Sequence, residues 1–431
     1  MDRPLTAGWR CLVCGASVDI AQALAWRCPN ARGTDRHHAL ELVQRVDRLV
    51  STGERNPFLA FRPYLAWDAF AGAAGMTDAA RAALVADVDA RVAAVAGTGF
   101  VTTPFERADE LSTELGFSAR GGVWVKDETN QVAGSHKGRH LLTILLHLLA
   151  AESAGIVPWG GVSGRPPLAI ASCGNAAVAA ATLAAAVVWP IRVFVPVAAD
   201  PAVVALLDAL GADIVHCPRL AADPPGDPCV HRFREAVAAG AVPFSVQGPE
   251  NAWCLDGGRT LGWEIASQSA DEPIDRLFVQ VGGGAFAACL TAGLGEAGRL
   301  PRTHAVQTAS CAPLERAWRR SLDVDPDRVG ASWSDWMWPW EEVGTSAADG
   351  ILDDETYDWL PVVRALRRSD GSVAVVSEAE VLRANDLAHD HTDVDVSHTG
   401  TAGLAGLLAM RADVGDDERV AVVFSGVRRG S

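Results

Sequence analysis

Lys137 is the residue whose type and setting most directly suggest covalent chemistry. It lies in segment 134–139, which reads GSHKGR, and apolar residues at helical spacing follow it. A lysine at the start of a helix faces the positive end of the helix dipole, which disfavours its charged form. A neutral lysine amine is what Schiff-base formation with a carbonyl compound requires. On this segment alone, a solvent-facing lysine in a loop is the alternative.

A second element is the triglycine Gly282-Gly283-Gly284, which follows a short apolar strand and begins a predicted helix. Bare backbone N–H groups and the positive end of a helix dipole together form a cradle for a phosphate. No Lys-Ser or Lys-Thr pair follows, so a nucleoside-triphosphate loop is excluded, and the spacing of dinucleotide-binding loops is missing. Because glycine-rich turns are common, this loop alone does not indicate a phosphate site. The neighbouring elements must support that interpretation.

Two further polar segments follow predicted strands. Segment 172–175 reads SCGN and places a hydroxyl, a turn and an amide before a helix. This arrangement suits the carboxylate of an amino acid, and a plain helix cap is the alternative. Ser425 supplies an isolated hydroxyl at the end of the last predicted strand.

The elements that must position these residues alternate between strand and helix. A helix is predicted over about 135–153, and Asp200 with Pro201 marks the start of another. Short apolar strands are predicted at Val123–Val125, Leu168–Ile170, Ile191–Val195, Leu277–Val281, Val373–Val376 and Val420–Phe424. This alternation predicts an open parallel sheet covered on both faces, with ligands beyond the carboxyl ends of the strands.

The order of the four chemical elements is more specific than any one of them. It resembles that of the fold-type II enzymes that use pyridoxal 5′-phosphate (PLP): threonine synthase, serine/threonine dehydratase and the tryptophan synthase β subunit. The resemblance runs from about Thr103-Pro104 to the C-terminus and includes KDETN at 126–130. It implies an α/β fold with two open, mostly parallel sheet domains and a short Cys-bearing N-terminal leader.

The resemblance also implies a role for each residue of the predicted site. Lys137 would carry PLP as a Schiff base and act as the catalytic residue. The implied cofactor-binding residues are Lys137, His136, Asn175 at the pyridine 3′-oxygen, Gly282, Gly283, Gly284 and Ala285 at the phosphate, and Ser425 at the pyridine nitrogen. The residues implied to hold the substrate carboxylate are Ser172, Cys173 and Gly174.

Ser425 bears on the type of reaction. A hydroxyl does not force the pyridine nitrogen to be protonated, as a carboxylate would, so the ring is a weaker electron sink. A long-lived carbanion is then disfavoured and loss of a β or γ leaving group is the natural outlet. We therefore expect elimination or replacement on a small amino acid, and not transamination.

The resemblance is closest overall to threonine synthase, and serine/threonine dehydratase is the alternative. Cysteines in the leader and FRPYL at 61–65 favour a threonine synthase-like lyase or synthase. SAADGI at 346–351 resembles instead serine/threonine dehydratase, an ammonia-lyase that gives a 2-oxo acid. A phosphorylated substrate would need a second anion site, for which Arg139, Arg165 and Arg259 are candidates. A non-catalytic paralogue that binds PLP or an amino acid is the alternative from another class.

The leader raises a separate question of metal binding. Cys11, Cys14 and Cys28 with His37, or with His38, offer four ligands at a spacing suited to zinc. A clean second C-x-x-C is missing, so a metal-free leader is the alternative. Zinc here would be structural, because a catalytic zinc needs an open ligand position.

Composition narrows the class of protein further. The 431 residues carry a net charge of −16, which argues against nucleic acid or an anionic membrane as partner. The start, Met1 to Arg10, lacks the apolar core of a signal peptide, and nine cysteines in a long chain suit a reducing compartment. A cytoplasmic protein is expected. The resemblance adds a homodimer, with the tryptophan-rich segment 333–340 as a packed loop, a subunit contact or a pocket wall.

Four regions are predicted along the chain. Residues 1–45 form the leader, and residues 46–115 form a helical approach segment that packs on the large domain. The large PLP-binding domain comprises 116–160 and 257–431, and a smaller domain that closes on the substrate comprises 161–256.

Overall fold

The computed structural model describes residues 5–32 and 35–429, with the backbone alone for residues 326 and 327. The first four residues of the stretch Met1 to Arg10 therefore lie outside the described residues. In the part of the chain that the structure describes, every helix is too short or too polar to traverse a lipid bilayer.

The described strands form three sheets. In chain order they are β1 (Thr6–Cys11), β2 (Ser17–Asp19), β3 (Leu40–Gln44), β4 (Phe105–Arg107), β5 (Gly122–Asp127), β6 (Leu168–Ala171), β7 (Ile191–Val195), β8 (Asp213–His216), β9 (Val242–Pro243), β10 (Arg276–Gln280), β11 (Arg302–Thr308), β12 (Ser372–Val376) and β13 (Arg419–Phe424). Each of the six strands predicted from sequence is present, with its bounds shifted by a few residues at most. The alternation of strands and helices therefore located the strands well.

The two larger sheets are mostly parallel, as predicted. One has the order β12-β11-β10-β13-β5-β4, with β4 antiparallel to β5 and every other pair parallel. The other has the order β8-β7-β6-β9 and is parallel throughout. A small antiparallel sheet, β2-β1-β3, lies in the leader. The chain thus has the α/β fold class that the sequence indicated.

Helices connect and cover these strands. In chain order they are α1 (Pro57–Ala60), α2 (Ala66–Ala73), α3 (Asp78–Ala96), α4 (Asp109–Glu114), α5 (Lys137–Ser153), α6 (Asn175–Ala186), α7 (Pro201–Ala209), α8 (Pro228–Ala238), α9 (Cys254–Gly257), α10 (Arg259–Gln268), α11 (Ala285–Glu296), α12 (Pro313–Ser321), α13 (Pro326–Val329), α14 (Trp359–Arg368), α15 (Glu378–His391) and α16 (His398–Ala409). Asp200 caps α7, as predicted from sequence, and Ser377 caps α15.

Burial explains why these segments form these elements. Every residue of β10 is buried, as expected for a central strand covered on both faces. Helix α6 is alanine-rich and almost wholly buried, and it packs closely against α5 and α3. The apolar stretch from α6 to β7 is therefore a buried helix followed by a buried strand.

The strands follow the predicted regions, with one exception. The four-stranded sheet draws its strands from 168–243, inside the region 161–256. Strand β4 lies inside the predicted approach segment 46–115, yet it pairs with β5 at the edge of the six-stranded sheet. The limit at 115 is therefore not a sheet boundary, because a short edge strand precedes it. The domain limits themselves stay a prediction.

Candidate active site

Lys137 is the first residue of α5, close to the helix start that the sequence predicted. The chain reaches it through a turn in which Ala133 and Gly134 both have positive φ. Burial lowers the pKa of the Lys137 ammonium, and nearby Asp353 opposes that shift. Among the described residues, none is within hydrogen-bonding distance of the Lys137 Nζ. The amine is therefore available for reaction and biased towards its neutral form.

The triglycine loop joins the end of β10 to the start of α11. Gly284 has a φ of +94°, a conformation that side chains with a Cβ rarely adopt. A Cβ added to Gly282 would lie only 2.3 Å from Asp353 Oδ2. Glycine is thus required at position 284 for its backbone conformation and at position 282 for lack of space.

Asn175 is the first residue of α6 and ends the predicted substrate loop that begins after β6. Arg429 donates hydrogen bonds to Asn175 Oδ1 and to the Ala133 carbonyl. Because Oδ1 is already engaged, the amide nitrogen of Asn175 is the group left to donate to a ligand. Sequence reasoning missed Arg429, since an isolated arginine near the C-terminus carries no motif.

Ser425 directly follows β13, and its hydroxyl contacts His136. The Ser425 Oγ lies 2.5 Å from His136 Nδ1 and accepts a hydrogen bond from the His136 backbone N–H at 3.1 Å. The imidazole stacks on Phe286, with ring centroids 3.9 Å apart. Ser425 and His136 are thus one hydrogen-bonded unit.

These elements converge on one cavity of about 280 Å³. The predicted site residues that line it are His136, Lys137, Ser172, Cys173, Gly174, Asn175, Gly282, Gly283, Gly284, Ala285 and Ser425. Every cofactor or substrate residue named from sequence is therefore brought to one place. Their individual roles stay predictions.

The same cavity is acidic, which the sequence did not reveal. Its lining includes Asp227, Asp349 and Asp353. Burial raises the pKa of Asp353 to about 6, although Lys137 opposes the rise. Nearby Asp358 accepts a hydrogen bond from the Gly248 N–H at 2.9 Å, and burial raises its pKa to about 7. Asp349 belongs to the segment SAADGI noted in the sequence, whereas no motif marks Asp227, Asp353 or Asp358, and only the folded chain brings these three near the glycine loop.

The three arginines considered for a second anion site are engaged elsewhere. Arg139 is fully buried against Glu128 and Glu264, with ion-pair distances of 2.7 and 2.6 Å. The other two are also paired: Arg165 bonds to Glu152, and Arg259 bonds to Asp256 and Glu296. None of the three lies among the residues described as lining the cavity, because each guanidinium is paired with carboxylates elsewhere in the fold, and the structure therefore does not support them as a second anion site.

The residues present fit PLP. The cavity offers an unpaired amine at Lys137, a hydroxyl at Ser425 and a glycine-lined helix start for a phosphate. Its volume is close to the lower end, about 300 Å³, of small-molecule pockets. One feature opposes a phosphate: the Asp353 carboxylate lies against the same glycines.

Three cysteines and a histidine of the leader lie close together in space. In the sequence they are far from the residues that line the cavity. The ligand atoms of Cys11, Cys14, Cys28 and His38 all lie within 4.8 Å of one another. Cys11 Sγ is 3.4 Å from His38 Nδ1, and Cys14 Sγ is 3.5 Å from Cys28 Sγ. These four residues are called the leader cluster below.

Of the two histidines offered by the sequence, His38 and not His37 lies beside the three cysteines. The His37 ring stacks on Trp333, with centroids 5.6 Å apart, and its Nδ1 lies 3.3 Å from Ser334 Oγ. These contacts hold His37 away from the cysteines. Trp333 also packs against Trp359, and the described cavity lining includes no residue of the tryptophan-rich segment. The described lining of this cavity therefore does not include the segment, and its part in a subunit contact stays a prediction.

Comparisons with known proteins agree with this geometry. The family model described as "Pyridoxal-phosphate dependent enzyme" matches residues 97–426, and the chain belongs to this family. No curated protein sequence matches the chain. The family and the cavity together define a PLP-dependent enzyme of fold type II.

Solved structures show the same fold at low sequence identity. The T.th. threonine deaminase has a TM-score of 0.61 and 22% identity, covering 80% of this chain and 98% of that one. Maize serine racemase has a TM-score of 0.60 and 18% identity, covering 80% and 93%. An L-serine ammonia-lyase from Rhizomucor miehei has a TM-score of 0.57 and 18% identity, covering 76% and 94%. These similar structures include racemases as well as lyases, so they indicate the fold and leave the reaction open.

Proposed function

We propose that this PLP-dependent enzyme is a lyase that removes the hydroxyl of a small hydroxy amino acid, such as serine or threonine, and releases ammonia and a 2-oxo acid. The observation that carries the proposal is the described lining of the cavity. It joins Lys137, the triglycine loop and Ser425, and it contains no arginine. An unphosphorylated substrate suits such a lining, because the helix start at the triglycine loop is needed for the cofactor phosphate and the described lining offers no guanidinium for a second phosphate.

The threonine synthase-like alternative has less support from the contacts. A phosphorylated substrate would bring a second anion beside the cofactor phosphate. Asp227 and Asp349 lie in the lining and would repel it. A threonine deaminase and a serine ammonia-lyase among the similar structures also point to the unphosphorylated substrate.

Lys137 and the loop 172–174 have distinct parts in the proposed reaction. PLP, when bound, supplies an aldehyde that condenses with amines and a ring that withdraws electrons from the substrate Cα. Lys137 would hold the cofactor, and its neutral Nζ would then take the proton from Cα. The loop of Ser172, Cys173 and Gly174 would bind the substrate carboxylate at the start of α6.

Borohydride reduction followed by peptide mapping tests the cofactor attachment. The sequence contains two lysines, Lys126 and Lys137, so the modified peptide is unambiguous. We expect the adduct on Lys137 alone. An adduct on Lys126, or no adduct in PLP-treated protein, would overturn the attachment.

A substrate screen tests the reaction. Ammonia and 2-oxo acid release should be measured with L-serine, L-threonine and their phosphorylated forms. We expect turnover of the free hydroxy amino acids. Turnover confined to the phosphorylated forms would favour the threonine synthase-like alternative, and a cofactor-loaded protein that turns over none of them would favour the binding paralogue.

We also propose that the leader cluster binds a structural zinc. A tetrahedral zinc with bonds of about 2.3 Å to sulfur and about 2.0 Å to nitrogen places its ligand atoms roughly 3.5–3.8 Å apart. The separations of 3.5 Å between Cys14 and Cys28 and 3.4 Å between Cys11 and His38 are close to these values. These four residues would complete a tetrahedral zinc set and leave no open position for catalysis.

Metal analysis of the purified protein tests this second proposal. We expect one zinc for each chain, and loss of that zinc in the variant Cys14→Ser. Cys217 is a buried cysteine outside the leader cluster, so Cys217→Ser is the matched control and should retain the metal. Metal-free protein after growth with added zinc would contradict the proposal.

A further inference from the structure

The hydrogen bonds between His136 and Ser425 determine which way the serine hydroxyl can point. Ser425 Oγ receives the His136 backbone N–H at 3.1 Å and lies 2.5 Å from His136 Nδ1. In the described part of the chain, Ser425 Oγ has no other hydrogen-bond partner. The hydroxyl also borders the cavity. The direction of its proton therefore depends on whether Nδ1 donates or accepts.

The surroundings of the imidazole identify the protonated nitrogen. Burial lowers the pKa of His136 well below its ordinary value, and Lys137 adds to this effect, so the ring is neutral and carries one N–H. The His136 Nε2 atom is buried with no hydrogen-bond partner among the described residues. Phe286 covers one ring face, and His140 meets the ring edge-on, with centroids 5.6 Å apart.

A buried N–H without an acceptor is rarer in proteins than a buried acceptor without a donor. A proton on Nε2 would be stranded, whereas a proton on Nδ1 is used in the 2.5 Å contact with Ser425 Oγ. The neutral ring therefore carries its proton on Nδ1. This tautomer makes His136 a donor to Ser425 twice, through the ring and through the backbone.

We propose that His136 is a positioning residue that forces Ser425 to donate its hydroxyl proton into the cavity, so that the cofactor's ring nitrogen is held as an unprotonated acceptor. A hydroxyl oxygen has two lone pairs, and His136 occupies both. The O–H of Ser425 then has the cavity as its remaining direction. The role rests on the proposed placement of PLP, with its ring nitrogen at Ser425.

The consequence is selectivity among reactions. An unprotonated pyridine is a weaker electron sink, so the charge that develops at Cα is better relieved by expelling the leaving group than by persisting. Without the Nδ1 donor, Ser425 could turn and accept a hydrogen bond from a protonated ring. Racemisation of the substrate would then compete more strongly with elimination.

The tautomer can be measured without any cofactor. Long-range proton–nitrogen NMR correlation on the ¹⁵N-labelled, cofactor-free protein distinguishes Nδ1–H from Nε2–H histidine, and the signal lost in His136→Phe assigns the residue. We expect His136 to be the Nδ1–H form from pH 6 to pH 9. An Nε2–H form, or a charged ring in this range, would overturn the proposal, whatever the reaction of the loaded enzyme.

The effect on the cofactor is measured with PLP labelled with ¹⁵N in its ring. His136→Phe preserves an aromatic ring against Phe286 and removes Nδ1, while His136→Asn restores a side-chain donor of similar reach. We expect the ring nitrogen's pKa to rise by about one unit in His136→Phe, which is about a tenfold change in protonation at a given pH. His136→Asn should return it towards the wild-type value.

The ratio of racemisation to 2-oxo acid formation from L-serine should rise about tenfold in His136→Phe and fall back in His136→Asn. A ring-nitrogen signal and a product ratio that are unchanged in His136→Phe, with the adduct still on Lys137, would overturn the role of His136 alone. Absence of the Lys137 adduct in the wild type would instead overturn the proposed function.

Discussion

The chain's two lysines lie in opposite surroundings. Lys126, in β5, is wholly buried and donates to the Thr103 carbonyl at 2.7 Å, to Glu264 at 2.7 Å and to Gln268 at 2.8 Å. Lys137, at the start of α5, borders the cavity and has no hydrogen-bond partner for its Nζ among the described residues. All three N–H groups of Lys126 are thus engaged, and those of Lys137 are available.

The same contrast separates the groups around each lysine. Arg139 and Glu264 share the ion network of Lys126; Arg139 bonds at 2.6 Å to Glu264, whose pKa is lowered because Arg139 and Lys126 outweigh burial. Around Lys137, Asp353 and Asp358 have pKa values raised by burial to about 6 and about 7. Burial also lowers the pKa of the Lys126 ammonium, so the contrast lies in the partners and not in the direction of that shift. The charges around Lys126 are paired, whereas Asp353 and Asp358 form no ion pair among the described residues and can exchange protons near pH 7.

The largest effect should follow from removing the unpaired lysine. Lys137→Met should lower kcat/KM for L-serine and L-threonine by about 10⁴-fold, because both cofactor attachment and the base at Cα are lost. Its thermal stability should be unchanged or higher, since no partner is left unpaired. A variant that loses activity only because it unfolds would contradict the contrast between the two lysines.

Loss of an ion pair from the buried network around Lys126 should lower the free energy of unfolding. Arg139→Met leaves Glu128 and Glu264 buried with too little positive charge, and the free energy of unfolding should fall by about 3–5 kcal/mol in urea titration. Arg91→Met, which removes an exposed pair with Asp87, is the matched control and should change it by less than about 0.5 kcal/mol. Equal losses in the two variants would show that the buried network contributes no more than a surface pair.

The buried ion network around Lys126 also shows which contacts could not be predicted from sequence patterns. Strand and helix positions followed from apolar runs, capping residues and glycines, and the order of the chemical elements grouped the cavity residues correctly. Arg139 was instead considered as an anion site, because its partner Glu264 lies far along the chain and no local pattern joins them. The acidity of the cavity and the contact between Arg429 and Asn175 were missed for the same reason.

Two adjacent histidines, His37 and His38, also have different contacts. His38 lies among the cysteines of the leader cluster, whereas His37 stacks on Trp333. His38→Ala should lower zinc affinity about 100-fold, because four ligands share a binding free energy of about 10–16 kcal/mol. His37→Ala should leave the affinity within a few-fold, as measured by competition with a chromogenic chelator. A larger loss in His37→Ala would return the fourth ligand to that residue.

The smallest effect concerns the carboxylate at the glycine loop. Asp353 has a pKa raised to about 6, so its carboxyl is mostly protonated below that pH and charged above it. The charged form repels a phosphate on Gly282 and Gly283, and a bound phosphate would raise the pKa of Asp353 further. PLP affinity should therefore fall as the pH rises from about 6 towards 8, beyond any change that the phosphate's own ionisation brings.

Asp353→Asn removes this charge and should bind PLP about tenfold more tightly at pH 8, the equivalent of one pKa unit. At pH 5.5 its affinity should be close to that of the wild type, since Asp353 is then mostly neutral. Asp354→Asn is the matched control: Asp354 accepts a hydrogen bond from the Tyr357 hydroxyl at 3.2 Å and is not among the described lining residues. Absorbance titration of cofactor-free protein with PLP at several pH values measures both. If the PLP affinities of Asp353→Asn and the wild type fall in parallel as the pH rises, the Asp353 carboxylate moves away from the glycines when the phosphate binds. The contrast between paired and unpaired charges would then not include the phosphate end of the cofactor.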